Sequence, residues 1–463
     1  MAADVKPRAL YLLPERFRDL LPLRVPVEEA DPSTRARSDA PILVAYDALE
    51  AMFEAQRCLY CHDPPCMRAC PLGQDCREYN LEISRGNFEA AKAIILRDNP
   101  LASTLCHVCY HYCEEDCVIG VRGEPVAIRH LKRAAVELGG GESMYERAAS
   151  KGQAVGIVGG GPAGLMAAWW LAQRGYDVTV YEGSHLLGGL ATMTIPRYRL
   201  PRQEFERDLA RMWNLGIRFR MNAALGRDFT LAQLRASHDA VILAIGTHAP
   251  KTAKLLGSEL PGVHSALGFL KGMFLGAPPA VGARVAVIGG GDVAMDCARM
   301  ALRRGAREVT VLYRRSRQEM PASAEEIRQA EDEGVVFRYL TAPLRVVGAG
   351  RVEGIECQAM ALGEPDPSGR RRPVPIEGSN VVLPVDTIVL ALGQTADLAG
   401  LGLEALGIQI DGDGVAVGVE GSPCTKEPGV YVAGGNSVVY AMKAGRAAAQ
   451  AADAFLTAGA ASS

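Results

Sequence analysis

The chain has 463 residues, of which 48% are hydrophobic and 22% are charged, so it can bury several cores and is neither disordered nor fibrous. At about 150 residues per domain, this length predicts roughly three domains. A formal net charge of −3 lacks the basic surplus that nucleic-acid binding requires, which excludes that class of partner. The start, Met1 to Leu20, lacks the apolar core of a signal peptide, and no run approaches the roughly 18 apolar residues of a membrane span. We therefore expect a cytoplasmic protein.

The residue pattern changes along the chain. Residues 1–150 contain most of the cysteines and have apolar residues at helical spacing, as in the run 87–96. Beyond this region, short β-branched segments alternate with alanine-rich ones, which is typical of an α/β fold. The order strand, glycine turn, helix, strand occurs twice, beginning at Ala154 and at Arg284. The sequence thus predicts a helical region followed by two similar α/β units.

The first glycine turn fits the G-x-G-x-x-G pattern of dinucleotide-binding folds through Gly159, Gly161 and Gly164. In such a turn the backbone approaches a pyrophosphate, and the N-terminus of the following helix favours the anion. The next predicted strand, 177–181, is followed by Glu182, where an acid can hydrogen-bond a ribose hydroxyl. A turn that only packs two elements is the alternative. The candidate binding residues are Gly159, Gly161, Pro162, Ala163, Gly164 and Glu182.

The second glycine turn has Gly289 and Gly291, with Ala294 at the third position, which the pattern allows. Here the next predicted strand, 308–313, is followed by Arg314 and Arg315 instead of an acid. A guanidinium suits a 2′-phosphate, so these residues favour NADP(H) over NAD(H); the alternative is a solvated basic turn. The candidate loop residues are Gly289, Gly291, Asp292, Val293 and Ala294.

Two dinucleotide sites in one chain suggest one bound flavin and one exchanging nicotinamide. The segment 428–436 resembles the last FAD-contacting strand of flavoproteins with two dinucleotide domains, which makes Gly435 and Asn436 FAD candidates. Asn436 stands where such proteins usually have Asp. The segments 243–247 and 390–394 resemble the two crossover strands that join the domains.

Nine of the twelve cysteines lie between Cys58 and Cys117. In a reducing cytosol such a concentration is more typical of metal binding than of disulfides. The first group has the spacing C-x2-C-x4-C-x3-C-P from Cys58, and the second has C-x2-C-x3-C-x3-C from Cys106. Nine thiolates can supply two [4Fe–4S] clusters with one to spare. Structural zinc is the alternative, because paired cysteines also bind zinc.

Several stretches resemble the small (β) subunit of NADPH-dependent glutamate synthase and its wider family. That family includes the electron-input part of dihydropyrimidine dehydrogenase and the large subunit of NADH-dependent ferredoxin:NADP oxidoreductase. The matching stretches are 57–61, 188–190, 195–196, 289–297, 313–315, 319–321 and 363–366. The matching stretch 188–190 adds Gly189 and Leu190 to the FAD candidates.

The resemblance also implies ligands for the clusters. One cluster would have Cys58, Cys61, Cys66 and Cys117, and the other Cys70, Cys109 and Cys113. The family's fourth ligand of the second cluster is often Glu or Gln, but Lys132 stands at that position, and an ammonium cannot ligate iron. We expect Cys106 to complete the second cluster, with Cys76 as the alternative.

These patterns predict an α/β fold with two Rossmann-like dinucleotide-binding domains, in which an NADP domain is inserted in an FAD domain and an α-helical iron–sulfur domain precedes both. The predicted boundaries are 1–150 for the iron–sulfur domain, 151–278 and 388–463 for the FAD domain, and 279–387 for the NAD(P) domain.

The expected function is electron input. Hydride passes from NADPH to FAD, without a separate catalytic residue, and single electrons leave through two [4Fe–4S] clusters to a partner. The large subunit of glutamate synthase is the expected partner. An oxoacid:ferredoxin oxidoreductase, a pyrimidine-reducing subunit or ferredoxin fits the same residues, and the flow could run toward NADP+ reduction.

A disulfide reductase and a scaffold subunit are the alternative functions. A pyridine nucleotide–disulfide reductase needs a pair of redox cysteines beside the flavin, whereas Cys297, Cys357 and Cys424 are each isolated in the sequence. A scaffold or sensor subunit would keep the cofactors but transfer no hydride.

Overall fold

The structure is a computed structural model that describes residues 23–121, 123–141, 144–251, 255–366 and 368–460. The segment Met1 to Leu20, on which the signal-peptide prediction was made, lies outside these ranges. Among the described residues, no helix combines the length and the apolar character that a membrane crossing needs.

The N-terminal part of the chain is helical. From residue 23 onward its described helices are α1 Pro32–Arg35, α2 Ala48–Ala55, α3 Pro65–Ala69, α4 Cys76–Ser84, α5 Phe88–Asp98, α6 Ala102–Val108, α7 Tyr112–Glu115 and α8 Ile128–Leu138, with a 3-10 turn at Val118–Val121. Helix α5 corresponds to the helical run predicted over 87–96. Ile83, Ile95 and Leu131 are almost fully buried and lie in one core shared by α4, α5 and α8. Burial of these apolar faces holds the short helices together.

The rest of the chain alternates strands and helices. In chain order these are β1 Ala154–Val158, α9 Pro162–Gln173, β2 Asp177–Tyr181, α10 Leu190–Met193, α11 Arg202–Met212, β3 Arg218–Arg220, α12 Leu231–Ser237, β4 Ala240–Leu243, β5 Ala249–Pro250, β6 Val263–Ser265, α13 Ala266–Phe274, β7 Arg284–Ile288, α14 Asp292–Arg303, β8 Glu308–Leu312, α15 Ala324–Asp332 and β9 Val336–Arg338. They continue with β10 Thr341–Val347, β11 Gly354–Pro365, β12 Arg371–Pro375, β13 Val381–Leu383, β14 Thr387–Leu390, β15 Gln394–Thr395, β16 Gln409–Ile410, β17 Ala416–Val417, β18 Val430–Val432 and α16 Val438–Ala460.

Two parallel sheets organise this part. The first has the strand order β18-β4-β1-β2-β3 and the second β6-β14-β7-β8-β9, and all of their pairings are parallel. Their central strands β1 and β7 are nearly continuous runs of buried residues, as parallel strands with helices on both faces require. The strands begin at Ala154 and Arg284, as predicted.

The second sheet is wider than the predicted NAD(P) segment. Its strands reach from Val263 to Leu390, whereas the sequence suggested 279–387. After β9, the strands β10 to β13 form an antiparallel sheet of their own, which the glycine-turn pattern gave no reason to expect.

The crossovers between the two sheets differ from the expected strands over 243–247 and 390–394. Strands β4 and β14 end at Leu243 and Leu390, and the chain then bends through Gly246 and Gly393, which have φ values of 76° and 101°. These left-handed conformations suit glycine, and they interrupt regular pairing. Beyond the bends, β5 and β15 pair with each other in an antiparallel ladder.

A buried carboxylate joins the helical part to the first α/β unit. Asp208 of α11 is fully buried and accepts hydrogen bonds from the backbone N–H groups of Ser103 and Thr104, at 3.0 and 2.8 Å. The guanidinium of Arg211 also donates to it, at 2.7 Å. Burial raises the pKa of Asp208 to about 6, and Arg211 opposes this rise, so the group is ionised at neutral pH. The first turn of α6 is thus tied to α11.

Candidate cofactor sites

A cavity of about 660 Å³ lies at the carboxyl ends of β1, β2, β4 and β18. Ligands of open α/β sheets bind at this edge, where the turns that follow the strands leave a crevice. The lining contains most of the predicted FAD residues: Gly159, Gly161, Pro162, Ala163, Glu182, Gly189, Leu190, Gly435 and Asn436. Gly164 is not part of the lining.

Gly159 and Gly164 are required by close backbone contacts. A Cβ atom on Gly159 would lie 2.2 Å from the carbonyl oxygen of Ala244, and one on Gly164 would lie 1.9 Å from the carbonyl oxygen of Gly159. A Cβ on Gly161 would meet no atom closer than 3.9 Å, so that glycine leaves open space at the start of α9. Such space beside a helix N-terminus fits a pyrophosphate, so the residues present fit the dinucleotide.

Glu182 closes the loop on the side of β2. Its carboxylate accepts hydrogen bonds from the backbone N–H groups of Gly160, at 2.8 Å, and Ser184, at 2.7 Å. These contacts fix the acid at the cavity wall, where the sequence predicted a partner for a ribose hydroxyl. At the other end of the cavity, Asn436 is exposed, and its side-chain amide donates to the carboxylate of Asp413 at 2.9 Å.

The opposite wall consists of residues that the sequence did not single out for this site. Tyr110, from the helical part, and Asp292, at the start of α14, both line the cavity, and burial together with the nearby Asp292 carboxylate raises the pKa of the Tyr110 hydroxyl. Arg199 donates to Asp296 at 2.8 Å, and both line the cavity. Burial raises the pKa of Asp296 and also that of Asp292, while Arg199 opposes both rises. In the sequence, these two acids could have been recognised by their spacing, because Asp292 and Asp296 lie one helical turn apart directly after the second glycine loop.

The second glycine loop joins β7 to α14. The N–H of Gly289 donates to the carbonyl of Leu312 at 3.2 Å, which places the loop at the end of β8. Arg314 follows that strand end and is exposed. Arg315 is buried, and its guanidinium donates to the carboxylate of Asp366 at 2.7 Å. The structure therefore gives the two predicted phosphate-binding arginines different surroundings, and only Arg314 presents its side chain to solvent.

The first predicted set of cluster ligands is brought together. Cys58, Cys61, Cys66 and Cys117 line one small cavity of the helical part. Burial raises the pKa of the Cys58 thiol to about 12, so a thiolate at this position requires a compensating cation such as bound iron. Four cysteines around one cavity are the donor set of a [4Fe–4S] cluster, and they fit that group.

The second predicted set influences the pKa of a buried lysine. Burial alone would lower the pKa of Lys132, but the thiol groups of Cys106, Cys109, Cys70 and Cys113 act in the opposite direction and raise it above its usual value. The ammonium is therefore retained. These are the four cysteines predicted for the second cluster, and all four raise the pKa of Lys132.

Cys76 lies between the two sets. Its side chain is almost fully buried at the start of α4, and the thiol of Cys113 in the second set, together with burial, raises its pKa well above the usual value, while Cys66 of the first set opposes the rise. Helix α3 also links the sets, because it carries Cys66 and has Cys70 at its C-terminal end.

The alternatives raised from the sequence find no matching geometry in the described ranges. A structural zinc site needs four donors on one ion, and no three His, Cys, Asp or Glu side chains converge on a single ion position there. Of the isolated cysteines, Cys297 and Cys357 are buried and Cys424 is exposed. A disulfide reductase would require a pair of cysteines beside the flavin. Among the described residues, no cysteine lines the large cavity.

Two protein families match consecutive parts of the chain. The family described as dihydropyrimidine dehydrogenase domain II, 4Fe-4S cluster, matches residues 35–141. The family described as pyridine nucleotide-disulphide oxidoreductase matches residues 153–452. These matches confirm the predicted fold class and the predicted cofactor types, which are FAD, NADP(H) and [4Fe–4S].

Curated relatives cover most of the chain. The β subunit of NADP(+)-dependent formate dehydrogenase from Moorella thermoacetica is 40% identical over 441 residues, which is 85% of this chain and 60% of that protein. The β subunit of NADPH-Fe(3+) oxidoreductase from Geobacter sulfurreducens is 40% identical over 75% of this chain and 53% of that protein. The small chain of NADPH glutamate synthase from Halomonas elongata is 36% identical over 84% of this chain and 85% of that protein. The chain thus spans little more than half of the first two relatives and most of the third.

Solved structures show the same fold. FprA from Mycobacterium tuberculosis, in complex with NADPH, superimposes with a TM-score of 0.56 at 21% identity, over 66% of this chain and 85% of FprA. The resemblance noted in the sequence is confirmed by the relatives. This chain belongs to the family of NADPH-dependent iron–sulfur oxidoreductases that includes the small chain of glutamate synthase.

Proposed function

We propose that the chain is an electron-input subunit, which oxidises NADPH and delivers electrons one at a time to a partner protein. The supporting observation is that one cavity is bounded by the first glycine loop, by the start of α14 and by Tyr110. Tyr110 directly follows Cys109, a proposed cluster ligand. Bound FAD supplies the chemistry that joins a two-electron hydride donor to one-electron iron–sulfur acceptors.

The cavity residues divide the binding of FAD between them. The backbone at Gly161 and the N-terminus of α9 receive the pyrophosphate, and Glu182 receives a ribose hydroxyl. Gly435 and Asn436 lie at the other end, where the flavin ribitol is expected. The remaining proposed contacts are Gly159, Pro162, Ala163, Gly164, Gly189 and Leu190.

The nicotinamide nucleotide is proposed to bind along the second glycine loop. Gly289, Gly291, Asp292, Val293 and Ala294 would hold its pyrophosphate, as in the first loop. Exposed Arg314 would bind the 2′-phosphate, whereas buried Arg315 supports the adjoining sheet through Asp366. A smaller cavity of about 200 Å³ is lined by Val293 and shares Thr247 with the large cavity, which gives the nicotinamide ring a path to the flavin.

We assign two clusters to the helical part. The first would be held by Cys58, Cys61, Cys66 and Cys117, and the second by Cys70, Cys106, Cys109 and Cys113. The burial of Cys106 in the core against which Cys113 packs supports the choice of Cys106.

The proposed domains follow the sheets. Residues 1–150 would form the iron–sulfur domain. Because β6 and β14 belong to the second sheet, we draw the nicotinamide domain at 263–390, which leaves 151–262 and 391–463 for the FAD domain.

We propose the large subunit of glutamate synthase as the partner. The match to a glutamate synthase small chain over most of both proteins supports this choice. Anaerobic purification of the tagged protein from its source cells, with identification of co-purifying chains, tests it. Recovery of a large amidotransferase subunit supports the assignment, whereas stoichiometric recovery of a formate or oxoacid oxidoreductase contradicts it and leaves the electron-input role intact.

Cys58→Ser tests whether hydride acceptance is independent of the clusters. The variant is expected to lose the first cluster, about four irons per chain, because a serine hydroxyl is a poor substitute for a thiolate ligand. NADPH should still bleach the flavin absorbance rapidly, since Cys58 lies outside the large cavity. Iron and sulfide counts and stopped-flow absorbance measure both effects. An absence of bleaching in the wild-type protein would instead indicate a scaffold or sensor role.

Cys106→Ala and Cys76→Ala form a matched pair, since both remove a buried thiol of the helical part. We expect Cys106→Ala to lose or degrade the second cluster, because it removes one of the four proposed thiolate ligands. Cys76→Ala should keep about eight irons per chain, since it removes a buried thiol that is not one of the eight proposed ligands. Iron counts and electron paramagnetic resonance spectra of the reduced proteins distinguish the two. The reverse pattern would make Cys76 the ligand.

A further inference from the structure

Residues 24–46 form a loop that runs from the helical part to the second α/β unit, which contains the second sheet. The loop is closed by backbone pairing, because the N–H of Ala30 donates to the carbonyl of Ile42 at 2.9 Å. Helix α1 lies between these two residues, at the far end of the loop. We refer to this segment as the 24–46 loop.

The base of the 24–46 loop is attached to the helical part. The N–H of Val25 donates to the carboxylate of Glu54 at 2.7 Å, and the hydroxyl of Tyr46 donates to the carbonyl of Val25 at 2.5 Å. Arg133 of α8 donates to the carbonyl of Leu43 at 2.9 Å. Both Glu54 and Tyr46 are buried, so water does not compete for these bonds. The base of the loop is therefore part of the helical body.

The far end of the loop enters the second α/β unit through Arg35, the last residue of α1. Arg35 is only 2% exposed. Its guanidinium lies 2.7, 3.2 and 3.3 Å from carboxylate oxygens of Glu29, Asp332 and Glu333. Asp332 and Glu333 lie at the C-terminal end of α15, whereas Glu29 belongs to the loop itself. Since a buried charge is strongly unfavourable without its partners, this contact holds the end of the loop against α15.

Further contacts join the loop to the same unit. Arg303 of α14 donates to the carbonyl of Ser38 at 3.0 Å, and the amide of Gln329 on α15 donates to Glu29 at 3.3 Å. Ile42 is buried in the apolar core of the second unit. The loop thus contacts both α15 and α14, and the first turn of α14 lines the large cavity.

The backbone that connects the two sheets is suited to bending. The chain leaves β4 and β14 through Gly246 and Gly393, both of which have positive φ values. Residues at such loop positions can act as hinges between domains. Contacts away from the bends must therefore hold the second unit in place. Besides the 24–46 loop, Arg129 of α8 pairs with Glu325 of α15 at 2.9 Å, so the helical part contacts this unit at two places.

We propose that the 24–46 loop fixes the orientation of the second α/β unit relative to the flavin cavity, and that Arg35 secures the loop in that unit. Arg35 is a positioning residue, because it does not line the large cavity and acts through α15 and α14. The inference rests on the proposed function, in which the nicotinamide nucleotide binds along the second glycine loop. A fixed orientation keeps the start of α14 at the cavity wall, so hydride transfer needs no rotation about the bends.

The test uses the full chain, purified anaerobically with its cofactors. Arg35→Met removes the charge and keeps an apolar side chain, Arg35→Lys retains the charge, and Arg37→Gln removes an exposed guanidinium of the same loop. Hydrogen–deuterium exchange with mass spectrometry reports whether the loop is released. Stopped-flow absorbance at varied NADPH concentrations gives the limiting rate of flavin bleaching and, separately, the apparent dissociation constant of NADPH.

We expect Arg35→Met to speed amide exchange over residues 28–44 and to lower the limiting bleaching rate by roughly 10- to 100-fold, because a misplacement of about 1 Å can cost on the order of 100-fold in rate. The apparent dissociation constant of NADPH should stay unchanged, since the proposed nucleotide contacts lie within the second unit. Arg35→Lys should lie between Arg35→Met and the wild type, because an ammonium lacks the planar fork of donors. Arg37→Gln should match the wild type.

Unchanged exchange over residues 28–44, or an unchanged limiting rate, would overturn the inference. Loss of FAD together with weaker NADPH binding would also overturn it, because that pattern indicates a general loss of structure. If Arg35→Met does not fold, Glu29→Gln takes its place, since the Glu29 side chain is partly exposed and lies 2.7 Å from Arg35. The same split between rate and affinity is then expected, and its absence would count against the loop.

The exchange measurement separates this outcome from that of the proposed function. If NADPH fails to bleach the flavin of the wild-type protein, the proposed function fails, and exchange alone decides whether Arg35 secures the loop. Conversely, equally rapid bleaching in the wild type and in Arg35→Met would keep the electron-input function and reject the role of Arg35.

Discussion

Arg314→Ser is expected to raise the KM for NADPH by about 10- to 150-fold and to leave the KM for NADH nearly unchanged. The side chain is exposed at the end of β8, beside the second glycine loop. A hydrogen bond to a charged group contributes roughly 1.5–3 kcal/mol, which corresponds to this range. NADH has no 2′-phosphate and loses no such contact. The KM values are measured from the initial rates of ferricyanide reduction at varied concentrations of NADPH and of NADH.

Two other arginines serve as controls for this prediction. Arg317→Ser removes an exposed guanidinium that pairs with Glu331, and it should alter neither KM. Arg315→Ser should lower the thermal unfolding temperature, because it leaves Asp366 without its ion pair, and should keep the preference for NADPH. Equal changes for NADPH and NADH in Arg314→Ser would refute the 2′-phosphate contact.

Asp208→Ala is expected to destabilise the attachment of the helical part by about 3–5 kcal/mol, the usual cost of removing one partner of a buried ion pair. The substitution leaves Arg211 without its carboxylate and the N–H groups of Ser103 and Thr104 without an acceptor. Since those N–H groups belong to the first turn of α6, the segment that carries Cys106 should loosen first. Urea unfolding followed by circular dichroism and by cluster absorbance measures both effects.

Glu206→Ala is the matched control on the same helix. Glu206 pairs with Arg202 at 2.7 Å, but more than half of each side chain is exposed. Exposed ion pairs of this kind contribute about 0–1 kcal/mol, so its unfolding midpoint should stay close to that of the wild type. A similar loss in both variants would show that Asp208 has no special role in joining α6 to α11.

The glycine loops illustrate what could be read from local sequence. The positions of Gly159 and Gly289 follow from the turn that each motif must make, and the flanking strands began where the pattern indicated. The roles of Arg314 and Arg315 could not be separated in this way. Both follow β8, and only the approach of Asp366 from the adjoining sheet buries one of them.

In the helical part too, some features could be predicted from the sequence and others depend on the tertiary structure. The cysteine spacing indicated two sets of ligands, but neither the position of Cys76 between them nor the burial of Lys132 is visible in the spacing. Those relations depend on how α3, α4, α6 and α8 pack, which buried apolar contacts between distant segments decide.

By itself, the sequence determined the α/β units, the two dinucleotide loops and the cysteine-rich region, because each depends on residues that are close along the chain. The tertiary structure decided which parts share one cavity. Tyr110, Arg199, Glu182 and Asp292 come from four distant segments, and all of them line it. Such a wall has no local pattern, since it is created only when the helical part and both sheets bury their apolar faces against one another.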